Sequence, residues 1–82
     1  MEQYFITFRS VTYGQKGERA LKSEKLSCSL MRAPKWMETR GCGYAVQVEN
    51  FQKAVQLLKE KNIPFEKAYR VQGNMRKELQ IP

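Results

Sequence analysis

The sequence has no histidine and no aspartate, since all 8 of its acidic residues are Glu. These absences exclude a Ser-His-Asp triad, a Cys-His pair, a His-ligated zinc and an Asp-rich calcium loop, because each needs a base or ligand that the chain lacks. The 2 cysteines are too few for a four-thiolate metal site or a disulfide-rich secreted scaffold. We therefore expect no metal and no other cofactor, and reduced thiols in the cytoplasm.

Long apolar runs are also missing, because no uninterrupted apolar run exceeds three residues. The first residues, Met-Glu-Gln-Tyr, carry an acid where a signal peptide has a basic region. This pattern predicts neither a signal peptide nor a membrane span. Positive charge is abundant instead, with 15 Lys and Arg and a net charge of +7. The surplus attracts anions of every kind, nucleic acid included, and does not choose among them.

The 82 residues suffice for one small domain and leave no room for a dinucleotide-binding fold. Alternating apolar residues predict strands over 3–9, about 26–32, 43–49 and 65–71. Ser10 and Thr12 offer caps for a first helix that ends near Leu26, with Gly14 and Gly17 loosening its first turns. Asn50 caps a second helix, whose apolar residues recur at three-to-four spacing.

This order predicts an α+β, ferredoxin-like split βαββαβ sandwich, with two helices on one face of a four-stranded antiparallel sheet ordered 4-1-3-2. Residues 1–72 would form the single domain, and 73–82 a polar, mobile C-terminal tail. The second sheet face would stay open and either dimerise or bind something flat. The residues expected on that face are Phe5, Thr7, Arg9, Ser27, Ser29, Met31, Ala45 and Gln47.

Cys42 is the candidate reactive residue. It lies between Gly41 and Gly43, which leave its sulfur uncovered and let a ligand approach the backbone closely. The third strand should begin beside the end of the first, where Ser10 and Thr12 open a helix whose N-H groups and dipole favour a thiolate. The alternative is that the glycines serve a turn and that Cys42 is a small filler at a strand end.

A hairpin centred near Met37 would place Arg32 opposite Cys42. Lys35, Arg40 and Arg9 would then add positive potential around the thiol.

Cys28 has a different pattern, since it alternates with Leu26 and Leu30 on the core face of an edge strand. The same register places it opposite Val46 and roughly 13 Å from Cys42, which is too far for an unstrained disulfide. We therefore expect Cys28 to be a buried structural residue.

Trp36 and Met37 lie in the charged loop before the Cys42 segment. They could serve as a lid or contact anchor, or they could simply fold back onto the sheet edge.

Four segments carry a resemblance to a known family, from about residue 3 to residue 71. They are YFITFRS at 4–10, ALKSEKL at 20–26, the Pro34-Lys35 step before Gly41-Cys42-Gly43, and LLKE at 57–60 followed by Ile63. Together they resemble the small bacterial family of selenium/sulfur carrier-like proteins. The resemblance implies that Cys42 carries sulfur or selenium and that other thiol or sulfur/selenium-transfer proteins are donor and acceptor. Lys35 stands where the family usually has Arg, and residues 14–17 are an insertion near the helix start.

An RNA-recognition motif has the same topology and length. Its third-strand pattern is matched at Arg40, Gly41, Gly43 and Tyr44, whereas Cys42 and Gln47 replace the aromatic residues that stack on bases. With that platform reduced, we expect at most weak, salt-sensitive binding of nucleic acid.

We therefore interpret the chain as a cytoplasmic carrier rather than a turnover enzyme. Transfer between thiolates needs an accessible sulfur of low pKa and no general base. The residues expected around Cys42 are Gly41, Gly43, Arg32, Arg40, Lys35, Ser10 and Thr12. The alternatives are a single-stranded nucleic-acid binder and a purely structural homodimer joined through the open sheet face or a strand edge.

Overall fold

The computed structural model describes residues 2–37 and 43–79. The strands are β1 (Glu2–Thr7), β2 (Cys28–Arg32), β3 (Tyr44–Val48), β4 (Ala68–Gln72) and β5 (Met75–Leu79), and the helices are α1 (Val11–Ser23) and α2 (Phe51–Glu60). Neither helix in the described part of the chain is long and apolar enough to cross a membrane.

The five strands form one antiparallel sheet in the order β2-β3-β1-β4-β5. The α+β class with two helices and an antiparallel sheet is confirmed, but the expected count of four strands is wrong. The additional strand, β5, comes from the 73–82 segment that we expected to be a mobile tail. It forms because Gly73 and Asn74 make a two-residue turn, with Gly73 at φ +59°, and Gln72 pairs with Met75 across it.

Both helices begin at a predicted cap, Ser10 for α1 and Asn50 for α2, whereas Thr12, the other hydroxyl expected as a cap, lies inside α1. The Ser10 Oγ accepts a hydrogen bond from the Tyr13 N-H at 3.3 Å, and the Asn50 Oδ1 accepts one from the Lys53 N-H at 3.1 Å. Each bond satisfies a backbone donor that the first helical turn leaves unpaired. The caps therefore fix where the chain turns from strand to helix at two places in the fold.

The main core lies between the helices and one face of the sheet. Phe8, Leu21 and Leu58 are fully buried there. Gly14 and Gly17 lie inside α1 and face this core: a Cβ on Gly17 would lie 2.8 Å from the Phe8 Cζ. We expected these glycines to loosen the helix, but their observed role is to let α1 pack closely on the sheet.

The opposite sheet face, expected to be open, is covered. Phe5 and Ala45 are buried in a second apolar cluster with Met37 and Tyr69, and Trp36 packs against that cluster. The apolar strip that would have promoted dimerisation through this face is therefore not exposed. Sequence alternation placed the residues on the correct face but could not show that the loop after β2 folds over them.

Candidate functional site

The candidate site lies at the end of the sheet where β1 ends and β3 begins. Thr7 pairs with Ala45, and α1 begins directly after β1 at its Ser10 cap. The N-terminus of α1 and the start of β3 therefore share one end of the sheet, as the topology predicted. Gly43, just before β3, has φ +72°, and its carbonyl accepts a hydrogen bond from the Ala33 N-H at 2.9 Å.

Gly43 combines a left-handed backbone with open space. A Cβ built on it would meet no described atom within 4 Å, so its backbone angle is what favours glycine here. Cys42, Gly41 and Arg40 lie outside the described residues. The accessibility of the Cys42 sulfur and the role of Arg40 therefore stay predictions.

The observed register of the β2-β3 hairpin corrects the expected one. Arg32 pairs with Tyr44 instead of Cys42, and Cys28 pairs with Val48 instead of Val46. The shift of two residues keeps every side chain on its expected face. Hydrophobic alternation has a period of two, so an even shift leaves the pattern unchanged and the two registers cannot be distinguished from it.

Two expected cations remain available at this end of the sheet. Arg32 is the exposed last residue of β2, and Lys35 is exposed in a turn closed by the Met37 N-H and the Pro34 carbonyl at 3.0 Å. Neither forms an ion pair with another residue in the ranges 2–37 and 43–79. Arg9 differs, because its Nε lies 3.0 Å from the Glu66 Oε1 and its charge is partly compensated.

The start of α1 supplies backbone donors. Ser10 satisfies the amide of Tyr13, while the amides of Val11 and Thr12 have no acceptor among the residues that the structure describes. N-H groups in this position favour an anion or a thiolate nearby. Because β3 lies between β1 and β2, Arg32 at the end of β2 and the helix start that follows β1 are two strand spacings apart, roughly 10 Å. The expected residues share one end of the sheet without forming one tight cluster.

Cys28 is a half-buried free thiol on the helix side of the sheet. Its Sγ donates to the Glu18 carbonyl oxygen at 3.6 Å. Burial raises the pKa of the Cys28 thiol, the Glu18 carboxylate raises it further, and Lys22 lowers it by less. These surroundings favour the neutral thiol, so Cys28 is poorly suited to be a nucleophile.

Trp36 and Met37 fold back onto the sheet, over its face and not only its edge. Met37 is almost completely buried against the Phe5 and Tyr69 cluster, and Trp36 meets Tyr69 edge-on with 5.4 Å between ring centroids. The Arg76 Cζ lies 5.0 Å from the Trp36 ring centroid, within range of a cation-π interaction. Sequence reasoning missed Tyr69 and Arg76, and the Gly-Asn turn before β5 was the signal that could have revealed Arg76.

The arrangement also bears on the nucleic-acid alternative. Phe5 is buried beneath the Met37 and Trp36 cover. Tyr44 alternates with Ala45 along β3, which places it on the helix side with Val46. Neither aromatic residue is therefore presented on the face where an RNA-recognition motif stacks bases.

A protein-family model described as "Putative Se/S carrier protein-like" matches residues 3–70. The matched range contains the whole β2-β3 hairpin and Cys42, and it ends before β5. No curated protein and no solved structure matches the chain.

Proposed function

Because the chain belongs to the Se/S carrier protein-like family, we propose that Cys42 carries a sulfur or selenium atom as a persulfide or selenosulfide. The family match across the Cys42 segment is the observation that carries this proposal. The chain has only 2 cysteines, and Cys28 is half-buried with a raised pKa. Cys42 is thus the remaining thiol that could carry the sulfur or selenium atom.

The transfer requires no net oxidation or reduction. The Cys42 thiolate attacks the outer sulfur of a donor persulfide, the donor's S-S bond breaks, and the donor leaves as a thiolate. A new S-S bond now holds the transferred sulfur on Cys42. With a donor selenosulfide, the outer atom is selenium and the bond formed is S-Se.

Delivery repeats the same step in the opposite sense. An acceptor thiolate attacks the outer atom, and the Cys42 thiolate is the leaving group. Neither step needs a general base if both thiols are already ionised, which suits a chain without histidine. Donor and acceptor are other thiol or sulfur/selenium-transfer proteins in this proposal, and a reducing cytoplasm keeps the thiols available.

The end of the sheet offers features that favour an anionic sulfur. Arg32 and Lys35 are exposed cations there, and the amides of Val11 and Thr12 point from the start of α1. Both kinds of group stabilise a thiolate, and they would equally stabilise the anion of a persulfide. Arg32 at the end of β2 and the helix start that follows β1 are roughly 10 Å apart, which suits a site shared with a partner protein.

Transfer in both directions tests the proposal. Protein incubated with a small-molecule persulfide, freed of the excess and mixed with an acceptor thiol should first gain and then lose the mass of one sulfur atom. Cys28→Ser should behave like the parent protein, and Cys42→Ser should gain nothing. Loading that survives in Cys42→Ser and is lost in Cys28→Ser would overturn the assignment.

A further inference from the structure

The outermost strand β5 is an exposed sheet edge. In the sheet order it has β4 on one side and no described strand on the other. Its first residue, Met75, is 72% exposed, and only Leu79 of the five residues is half-buried. A row of backbone donors and acceptors in this position is a template for pairing with another strand.

The register identifies which backbone groups face outward. The Thr7 N-H bonds the Lys67 carbonyl at 2.8 Å, so the next residue, Ala68, points its backbone groups away from β1 and toward β5. Ala68 pairs with Leu79, and Gln72 with Met75 across the two-residue turn. Residues 75, 77 and 79 therefore bond β4, and residues 76 and 78 present their N-H and carbonyl groups to solvent.

The other edge of the sheet is protected. The outward N-H of Leu30 in β2 donates to the Glu18 Oε2 at 2.8 Å, so the side chain of an α1 residue occupies the position that an added strand would take. Carboxylates placed along an edge in this way discourage pairing. Of the two edges, β5 is the available one.

We propose that β5 pairs antiparallel with β5 of a second copy of this chain, about a two-fold axis at Lys77. This register places Arg76 opposite Glu78 of the second copy, and the outward N-H and carbonyl groups of these two residues bond each other. It also places Met75 opposite Leu79 of the second copy. The pairing joins two five-stranded sheets into one continuous sheet. It is independent of the chemistry of Cys42.

Charge selects this register over its neighbours. A shift of two residues in one direction would set Arg76 against Arg76, and a shift in the other would set Glu78 against Glu78. Only the proposed register matches opposite charges at both outward positions. Its one unfavourable contact is Lys77 against Lys77. Arg76 can stack on Trp36 and still donate to a carboxylate, because the edge of a stacked guanidinium keeps its N-H groups free.

Charge reversal tests the pairing in the full chain. Sedimentation equilibrium from about 10 μM to about 1 mM, a range suited to weak association, should show a monomer-dimer equilibrium. Arg76→Glu and Glu78→Arg should each reduce dimerisation at least tenfold, and the double variant should restore it because the pairs are exchanged. Lys53→Glu in α2 and Glu24→Arg at the C-cap of α1 are the matched controls, which make the same charge changes away from β5.

Cross-linking tests the register itself. In a background of Cys28→Ser and Cys42→Ser, Lys77→Cys places two thiols across the axis at a Cα separation of about 4.5 Å, within disulfide range. Mild oxidation should give a covalent dimer, whereas Met75→Cys, about 13 Å from its own copy, should cross-link much more slowly. A monomer at every concentration, a double variant that stays monomeric, or equal cross-linking of both cysteine variants would overturn the proposal.

Discussion

The two faces of the sheet are closed in different ways. One is covered by two amphipathic helices, with Phe8, Leu21 and Leu58 fully buried between them. The other is covered by loop residues Trp36 and Met37 lying against Tyr69 and Phe5, with β5 contributing Arg76. Two helices cover the first face, whereas the side chains of two loop residues, Trp36 and Met37, cover the second. In the sequence these two residues directly precede the Cys42 segment. We infer that the helix face carries most of the stability.

Phe8→Ala should have the largest effect. Phe8 is fully buried and contacts α1 at Gly17. Its truncation leaves a cavity, because the surrounding core can relax only partly into the space of the removed ring. We expect a loss of about 3–5 kcal/mol in the free energy of unfolding, measured by urea denaturation. Phe8→Leu, which keeps more of the volume, should lose clearly less. Equal, small losses for both variants would contradict the dominant role of the helix face.

Met37→Ala should have an intermediate effect on the free energy of unfolding. It removes the buried anchor of the loop face, with an expected loss of about 2 kcal/mol. Met37→Leu is the matched control and should lose less than about 1.5 kcal/mol, since its volume is similar. A loss that matched or exceeded that of Phe8→Ala would show that the loop face, and not the helix face, dominates.

Cys28 provides a chemical probe of the helix face. Because its pKa is raised, the thiol stays protonated at pH values above about 8.5, the ordinary pKa of a cysteine. The pH dependence of its alkylation by iodoacetamide, measured in Cys42→Ser, should therefore have a midpoint above that value. Glu18→Gln should lower this midpoint, because it removes a negative charge that disfavours the thiolate. A Cys28 midpoint below 8.5 would contradict this description of its surroundings.

Arg76→Ala should have the smallest effect on stability. It removes the cation-π contact of an exposed Arg76 with Trp36, and such a contact contributes about 0.5–1 kcal/mol. The neighbouring Lys77→Ala is the control, because Lys77 lies on the opposite face of β5 by strand alternation. Urea denaturation at a dilution where the protein is monomeric would compare the two, and an equal loss would exclude a specific Arg76-Trp36 contact.

Much of the helix face could be predicted from the sequence. The alternation of Tyr4, Ile6 and Phe8 identified the buried side of β1, and Ser10 and Asn50 identified both helix starts. These features follow from local periodicity and capping chemistry, which a sequence displays directly.

The loop face could not be predicted in the same way. Trp36 and Met37 belong to an irregular segment whose packing depends on which distant residues the sheet presents to it, Tyr69 above all. The predicted register of the β2-β3 hairpin was wrong by two residues, because hydrophobic alternation cannot detect a shift by an even number of residues. The fifth strand was not predicted because its residues are mostly charged, although the Gly73-Asn74 dipeptide is typical of a hairpin turn.

The most direct test of the central claim is the intact mass of the protein purified without reductant from cells supplied with selenite or with a sulfur source. The account predicts a fraction heavier by one selenium or one sulfur atom, located on Cys42 by peptide fragmentation, removed by a thiol reductant and absent from Cys42→Ser. An adduct located on Cys28, or a protein of unmodified mass under both conditions, would contradict it.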